Sequence, residues 1–75
     1  MNNKFYDEYR YLGLNIAYYR KDRGLSQEQL AELINISRVH MSRIETAACA
    51  VSLDVIFDIC EKLELPAYKL FQFRE

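Results

Sequence analysis

The chain predicts an all-α domain of five short helices, on three observations. Apolar residues recur three and four apart along most of its length, rather than in the alternation of a half-buried strand. Glycine and proline are scarce, two and one in 75 residues, which argues against a disordered chain or a flexible linker. Three serines, Ser26, Ser37 and Ser52, each stand just before an apolar-periodic segment, where a hydroxyl can accept from a free N–H of the first turn.

Each element has a local cause. The first helix runs from about Tyr6 to Arg23, with Phe5, Tyr9, Leu12, Ile16 and Tyr19 as a stripe expected to lie mostly in the core. Gly24, after the basic Arg20-Lys21-Asp22-Arg23 end, supplies the stop. The second helix covers about Gln27 to Leu33. Ser26 and Gln29 form a capping box before it, and Leu30, Ala31, Leu33 and Ile34 give it an apolar face. Asn35 tolerates a left-handed backbone, so it can reverse the chain and let Ile36 pack back inward. Ser37 caps a third helix, about Arg38 to Glu45, with Met41 and Ile44 pointing inward. Thr46 to Val51 reads as a loop. Ser52 caps the fourth helix, Asp54 suits its positive end, and Val55, Ile56, Ile59, Cys60 and Leu63 form its buried side. Pro66 suits the first turn of a fifth helix, docked by Leu70 and Phe71.

Composition bounds what such a chain does. Residues 1–75 make one domain, which buries only about 60% of its unfolded surface and folds alone if helical and well packed. No apolar run approaches the roughly 20 residues of a membrane span, and the N-terminus lacks a signal-peptide core, so the expected location is cytoplasmic. Cys49 and Cys60 with a single histidine offer no zinc spacing, and both read as reduced thiols, one in a loop and one in the core. There is no glycine-rich phosphate loop and no catalytic constellation, so neither an enzyme, a metal, a cofactor nor a small-molecule ligand is expected.

Residues 26–45 carry the functional signal. Two short helices joined by a tight turn can lay the second in the major groove of DNA. Here the second leaves Arg38, Val39, Ser42 and Arg43 on its free faces, with His40 near the edge. The net charge of −1 and an isoelectric point of about 5.8 count against DNA binding, which draws affinity from phosphate neutralisation. Distribution softens this: residues 1–24 hold five Lys/Arg against three Asp/Glu, whereas residues 46–75 hold three against five.

The run LSQEQLAELINISRVHMSRIE resembles the helix-turn-helix of the Cro/C1-type (XRE) family of bacterial and phage repressors. Leu12-Gly13, Ile16 and Arg20-Lys21 resemble the family's first helix, Ser52-Leu53-Asp54 through Leu63 its fourth, and Leu65 through Phe71 its fifth, so the likeness spans about residues 10 to 71. It implies a five-helix, lambda-repressor-like DNA-binding domain with the helix-turn-helix formed by helices 2 and 3. It implies roles as well. Gln27 would bind a backbone phosphate and brace the reading helix. Ser37, Arg38, Val39, His40, Ser42 and Arg43 would face DNA, Arg38 gripping guanine and Val39 meeting a thymine methyl. Arg20 and Glu45 would pair between the first and third helices. The partner would be a palindromic double-stranded operator read by a homodimer. Phage repressors, antitoxins and restriction-modification controllers are all homes for such a chain. It ends soon after the fifth helix, so no sensor domain is expected.

The sequence departs from the family in three places. Ala47 stands where a glycine follows the glutamate by two, so the third helix is expected either to end differently or to run on into Thr46-Ala47-Ala48. Val51 replaces a proline, and the loop Ala47-Ala48-Cys49-Ala50 offers no charged donor to phosphate. Tyr11, Leu14 and Tyr18 form a second stripe on a face that is usually polar. With Tyr68, Phe71 and Phe73 they are candidates for a dimer or partner surface, unless the N-terminal segment or the fifth helix covers them. The expected function is thus sequence-specific DNA binding by a small transcriptional regulator, most simply a repressor. The alternative is a helical protein–protein interaction module, antitoxin-like or a regulator's partner, that no longer binds DNA.

Overall fold

A computed structural model describes residues 3–73. It contains α1 (Tyr6–Asp22), α2 (Gln27–Leu33), α3 (Arg38–Glu45) and α4 (Leu53–Lys62), followed by a 3₁₀ helix at Ala67–Phe71. The described residues include no strand, and no helix among them is long and apolar enough to cross a membrane. The expected fifth α-helix is thus a single 3₁₀ segment. Pro66 lies before it rather than in its first turn, with extended backbone (φ −67°, ψ 140°), and its carbonyl accepts from Lys69 N–H at 3.1 Å. Five residues are too few for a ladder of α-helical hydrogen bonds, and the tighter i→i+3 bond closes instead.

The helices start and stop by one repeated device. Ser26, Ser37 and Ser52 are all extended, and their hydroxyls accept from the N–H groups of Gln29 at 3.0 Å, His40 at 3.0 Å and Val55 at 3.2 Å. Gln29 Oε1 accepts in return from Ser26 N–H at 2.8 Å, completing the capping box. All four helices end in a Schellman motif. The residue after each C-cap is left-handed: Gly24 (φ 72°), Asn35 (60°), Ala47 (60°) and Glu64 (51°). The N–H groups of Leu25, Ile36, Ala48 and Leu65 then bond back to the carbonyls of Arg20, Ala31, Arg43 and Cys60 at 2.8–3.1 Å. Helix α3 therefore neither ends differently nor runs on at Ala47. The alanine takes the glycine's conformation, at a cost of about 1–2 kcal/mol. Its methyl group is fully buried, which offsets part of that cost.

The core joins Leu12 and Ile16 of α1, Leu30 and Ala31 of α2 with Ile34 after it, and Met41 and Ile44 of α3. Ile56, Ile59 and Cys60 of α4 complete it with Leu63, Leu65 and Leu70. Tyr9, Tyr19, Ile36, Cys49 and Val55 are half-buried against it. Three expected core residues are exposed instead: Phe5, Leu33 and Phe71. Phe5 precedes the first helical residue of α1 and so lies outside its register. In two-turn α2 the buried arc is Leu30, Ala31 and Ile34, and Leu33 falls outside it. In the 3₁₀ helix residues three apart share a face, so Ala67 and Leu70 turn inward and Phe71 turns out.

Two contacts lock α1 to the end of α3. Gly13 and Arg20, seven residues apart, share a face of α1. A Cβ built on Gly13 would lie 2.7 Å from the Ile44 carbonyl oxygen and nearer still to that of Glu45, so only glycine permits this approach. Two turns on, Arg20 donates from Nε to Glu45 Oε2 at 2.7 Å and from Nη2 to Oε1 at 3.0 Å, while Nη1 donates to the Leu25 carbonyl at 2.7 Å. Both residues are buried, 6% and 7% exposed.

Four stability outcomes follow, each measurable by thermal and urea unfolding. Gly13→Ala should destabilise by about 1–3 kcal/mol through overpacking, although alanine is favoured by about 1 kcal/mol in an ordinary helix. Glu45→Ala strands a buried guanidinium and should cost about 3–5 kcal/mol. That approaches the whole stability of a chain this size, about 4–11 kcal/mol. The double variant Arg20→Met/Glu45→Leu should recover much of that loss. Glu64→Gly relieves a left-handed residue whose side chain is exposed, and should stabilise by up to about 1 kcal/mol.

Candidate nucleic-acid interface

Helix α3 divides its side chains sharply. Met41, Ile44 and Glu45 are buried, whereas Arg38, Val39, His40 and Arg43 are exposed and Ser42 is half-buried. Arg38 and Ser42 are four apart, as are Val39 and Arg43, so they form two adjacent rows along the free surface. His40 lies at the far edge of that surface. No carboxylate among the described residues pairs with Arg38 or Arg43, so both guanidinium groups keep their donors for a ligand.

Ser37 opens the surface. Its Oγ accepts from His40 N–H, which leaves the hydroxyl hydrogen to donate outward. Ser42 turns its carbonyl to Thr46, accepting from Thr46 Oγ1 at 2.9 Å and from its N–H at 3.0 Å. Those bonds close the last turn of α3 just before Ala47.

Gln27, at the first position of α2, is not a free surface amide. It is half-buried, and its Nε2 donates to Glu45 Oε1 at 3.0 Å. The Glu45 carboxylate thus receives three donors, two from α1 and one from α2, and no buried side-chain nitrogen or oxygen among the described residues lacks a partner. The bond uses one of two amide hydrogens, so Gln27 ties α2 to α3 and still holds one donor. Nothing in residue spacing announces this link, because eighteen residues separate the two side chains and only the folded bundle brings them together.

The second aromatic stripe is partly covered. Phe73 stacks on Tyr11 with ring centroids 5.9 Å apart, and Phe71 packs beside Phe73 at 6.2 Å. Leu14, Tyr18, Tyr68 and Phe71 remain exposed. Asn15 was absent from the expected set. Its Nδ2 donates to the carbonyls of Leu70 at 2.9 Å and Gln72 at 3.2 Å, pinning the C-terminal segment along α1. A lone amide inside an apolar stripe was the available signal. The described residues contain no cluster of three or more His, Cys, Asp or Glu able to hold a metal ion.

Known proteins share this arrangement. The restriction-modification controller protein C.AhdI from Aeromonas hydrophila superposes with a TM-score of 0.86 at 29% identity, covering 92% of this chain and 100% of that one. PlcR of Bacillus thuringiensis, solved with the peptide PapR7 and DNA, gives a TM-score of 0.76 at 36% identity over 85% of this chain and 22% of its own. In sequence the chain is 37% identical over 54 residues to the antitoxin PezA of Streptococcus pneumoniae, covering 72% of this chain but 34% of that protein's length. Residues 16–70 match the helix-turn-helix family HTH_3. With α2 and α3 forming the two-helix motif, the chain belongs to that family, the Cro/C1-type (XRE) regulators.

Proposed function

We propose that the chain is a small transcriptional regulator that binds double-stranded DNA sequence-specifically, with α3 in the major groove. The observation that carries this reading is the outer surface of α3. Two arginines unpaired among the described residues, a valine and two serines stand there on a helix fixed from behind by the buried Arg20–Glu45 pair and its half-buried partner Gln27. Arg38 presents two parallel donors to guanine O6 and N7, a contact lysine does not copy. Val39 meets a thymine methyl, and Arg43 reaches a further base or phosphate. Ser37, Ser42 and the remaining amide hydrogen of Gln27 address the sugar-phosphate backbone, which sets register rather than sequence. His40, at the edge, contributes to the backbone side.

Size argues for two copies. The domain measures 30 × 23 × 20 Å, and one α3 reads one groove face, whereas successive major-groove half-sites lie about 34 Å apart. A homodimer on a palindromic operator meets that spacing, with Leu53, Phe57 and Phe71 available as an exposed apolar face for pairing. Such a complex acts by occluding a promoter, in the cytoplasm with the DNA it reads.

Fluorescence anisotropy on duplexes selected from random sequence, across a salt series, tests the reading. Wild type should prefer one duplex, and its affinity should fall with salt by a log–log slope of about −0.9 per phosphate contact. Arg38→Ala should weaken the preferred duplex roughly 5- to 150-fold while changing non-specific binding little. Failure to bind any duplex at low salt would overturn DNA recognition and leave an interaction module.

A further inference from the structure

On the far side of α1 from the face that seats α3 lies an open groove of about 560 Å³, formed with the C-terminal segment. Tyr11, Leu14, Tyr18, Lys69, Gln72 and Phe73 line it. Three features distinguish it from an ordinary wet surface. Its apolar walls stay uncovered, Leu14 being 50% and Tyr18 63% exposed. It is built in advance: Tyr18 meets Tyr19 edge-on at 5.0 Å, Phe73 stacks on Tyr11, and Asn15 holds the backbone of the opposite wall by two hydrogen bonds. Its described lining is also one-signed: Lys69 lines it, Arg10 sits over the Tyr11 ring at 5.3 Å, and no carboxylate is among the described residues that line it. Of the three carboxylates of α1, Asp7 and Glu8 stand in its first turn, Glu8 in the neighbouring hollow on the other side of Phe73, and Asp22 ends the helix, engaged by Arg23 at 3.0 Å.

We propose that this groove docks a segment of a partner protein that presents an aromatic or aliphatic anchor flanked by acidic residues. Tyrosine walls with a rim of cationic donors favour protein contact over an enclosed small-molecule site, which buries most of its ligand. A second copy of this chain fits poorly. A two-fold interface sets the same patch on both copies, so Lys69 and Arg10 would meet a second cationic patch, with no carboxylate among its described lining residues to pair with them. The acidic partner supplies that missing charge. Its site lies away from Arg38 and Arg43, so a partner and a duplex can be held at once. The proposal does not depend on DNA recognition.

The test uses the full chain, ¹⁵N-labelled, and two synthetic helical peptides. Both carry the same leucine and phenylalanine anchors, one flanked by glutamates and the other by lysines. The glutamate peptide should shift the amide resonances of Leu14, Tyr18, Lys69 and Gln72 and bind roughly tenfold more tightly than the lysine peptide. Lys69→Glu should reverse that preference, and Tyr18→Ala should weaken both peptides without changing the dispersion of the core resonances. Equal affinity for the two peptides, no shifts, or shifts confined to another surface would overturn the proposal. So would loss of self-association by Tyr18→Ala in sedimentation, which would show the groove to be filled by a second copy.

Discussion

The carboxylate of Glu45 sits at the point where α1, α2 and α3 meet, and it is buried. A charge in that position is stable only if its lone pairs are filled, and Arg20 and Gln27 fill them. Arg20 in turn spends its third donor on the Leu25 carbonyl, in the turn between α1 and α2. The network therefore fixes the pose of α3 from its C-terminal end relative to two other elements. Gly13 sets the distance: it allows the backbone carbonyls of Ile44 and Glu45 to approach α1 closely enough for the pair to form. A groove-reading helix needs this kind of support, since a displacement of about 1 Å degrades a bidentate contact.

The same arrangement reconciles an acidic chain with an anionic ligand. The net charge of −1 is an average over surfaces that do different work. The outer face of α3 carries Arg38 and Arg43 with no carboxylate on that face, since its one acid, Glu45, is buried and neutralised by Arg20. The excess carboxylates lie on α4 and beyond, at Asp54, Asp58, Glu61 and Glu64. Local sign, not the total, governs docking, because salt at physiological ionic strength largely screens exposed charges more than about 8 Å away.

The far side of α1 shows how a helix serves two partners. One face, with Gly13, Ile16 and Arg20, is shaped for close internal packing. The opposite stripe, with Tyr11, Leu14 and Tyr18, has more apolar surface than the short C-terminal segment can cover. Among the described residues Phe73 is the aromatic cover, stacked on Tyr11, and Leu14 and Tyr18 stay open.

Sequence alone determined where α2, α3 and α4 begin and where α1 and α2 end, because those signals are local. A serine hydroxyl finds an N–H three residues away, and Gly24 and Asn35 accept a left-handed backbone with little strain. The boundaries of α2 and α3, and the inward places of Met41 and Ile44, follow from such short-range rules together with helical period. The pairing of Arg20 with Glu45 was legible only through resemblance to a family, since a separation of 25 residues carries no geometric information by itself. Tertiary structure decided the rest. Ala47 and Glu64 were driven left-handed by chain reversal rather than by their own preference, and burial supports only Ala47. Leu33 and Phe71 were turned outward because helix period, not hydrophobicity, sets direction. Gln27 was drawn to Glu45, and Asn15 to the C-terminal backbone, by partners 18 and at least 55 residues away. Side-chain hydrogen bonds of that reach depend on where whole helices come to rest, and that is a property of the packed core rather than of any segment within it.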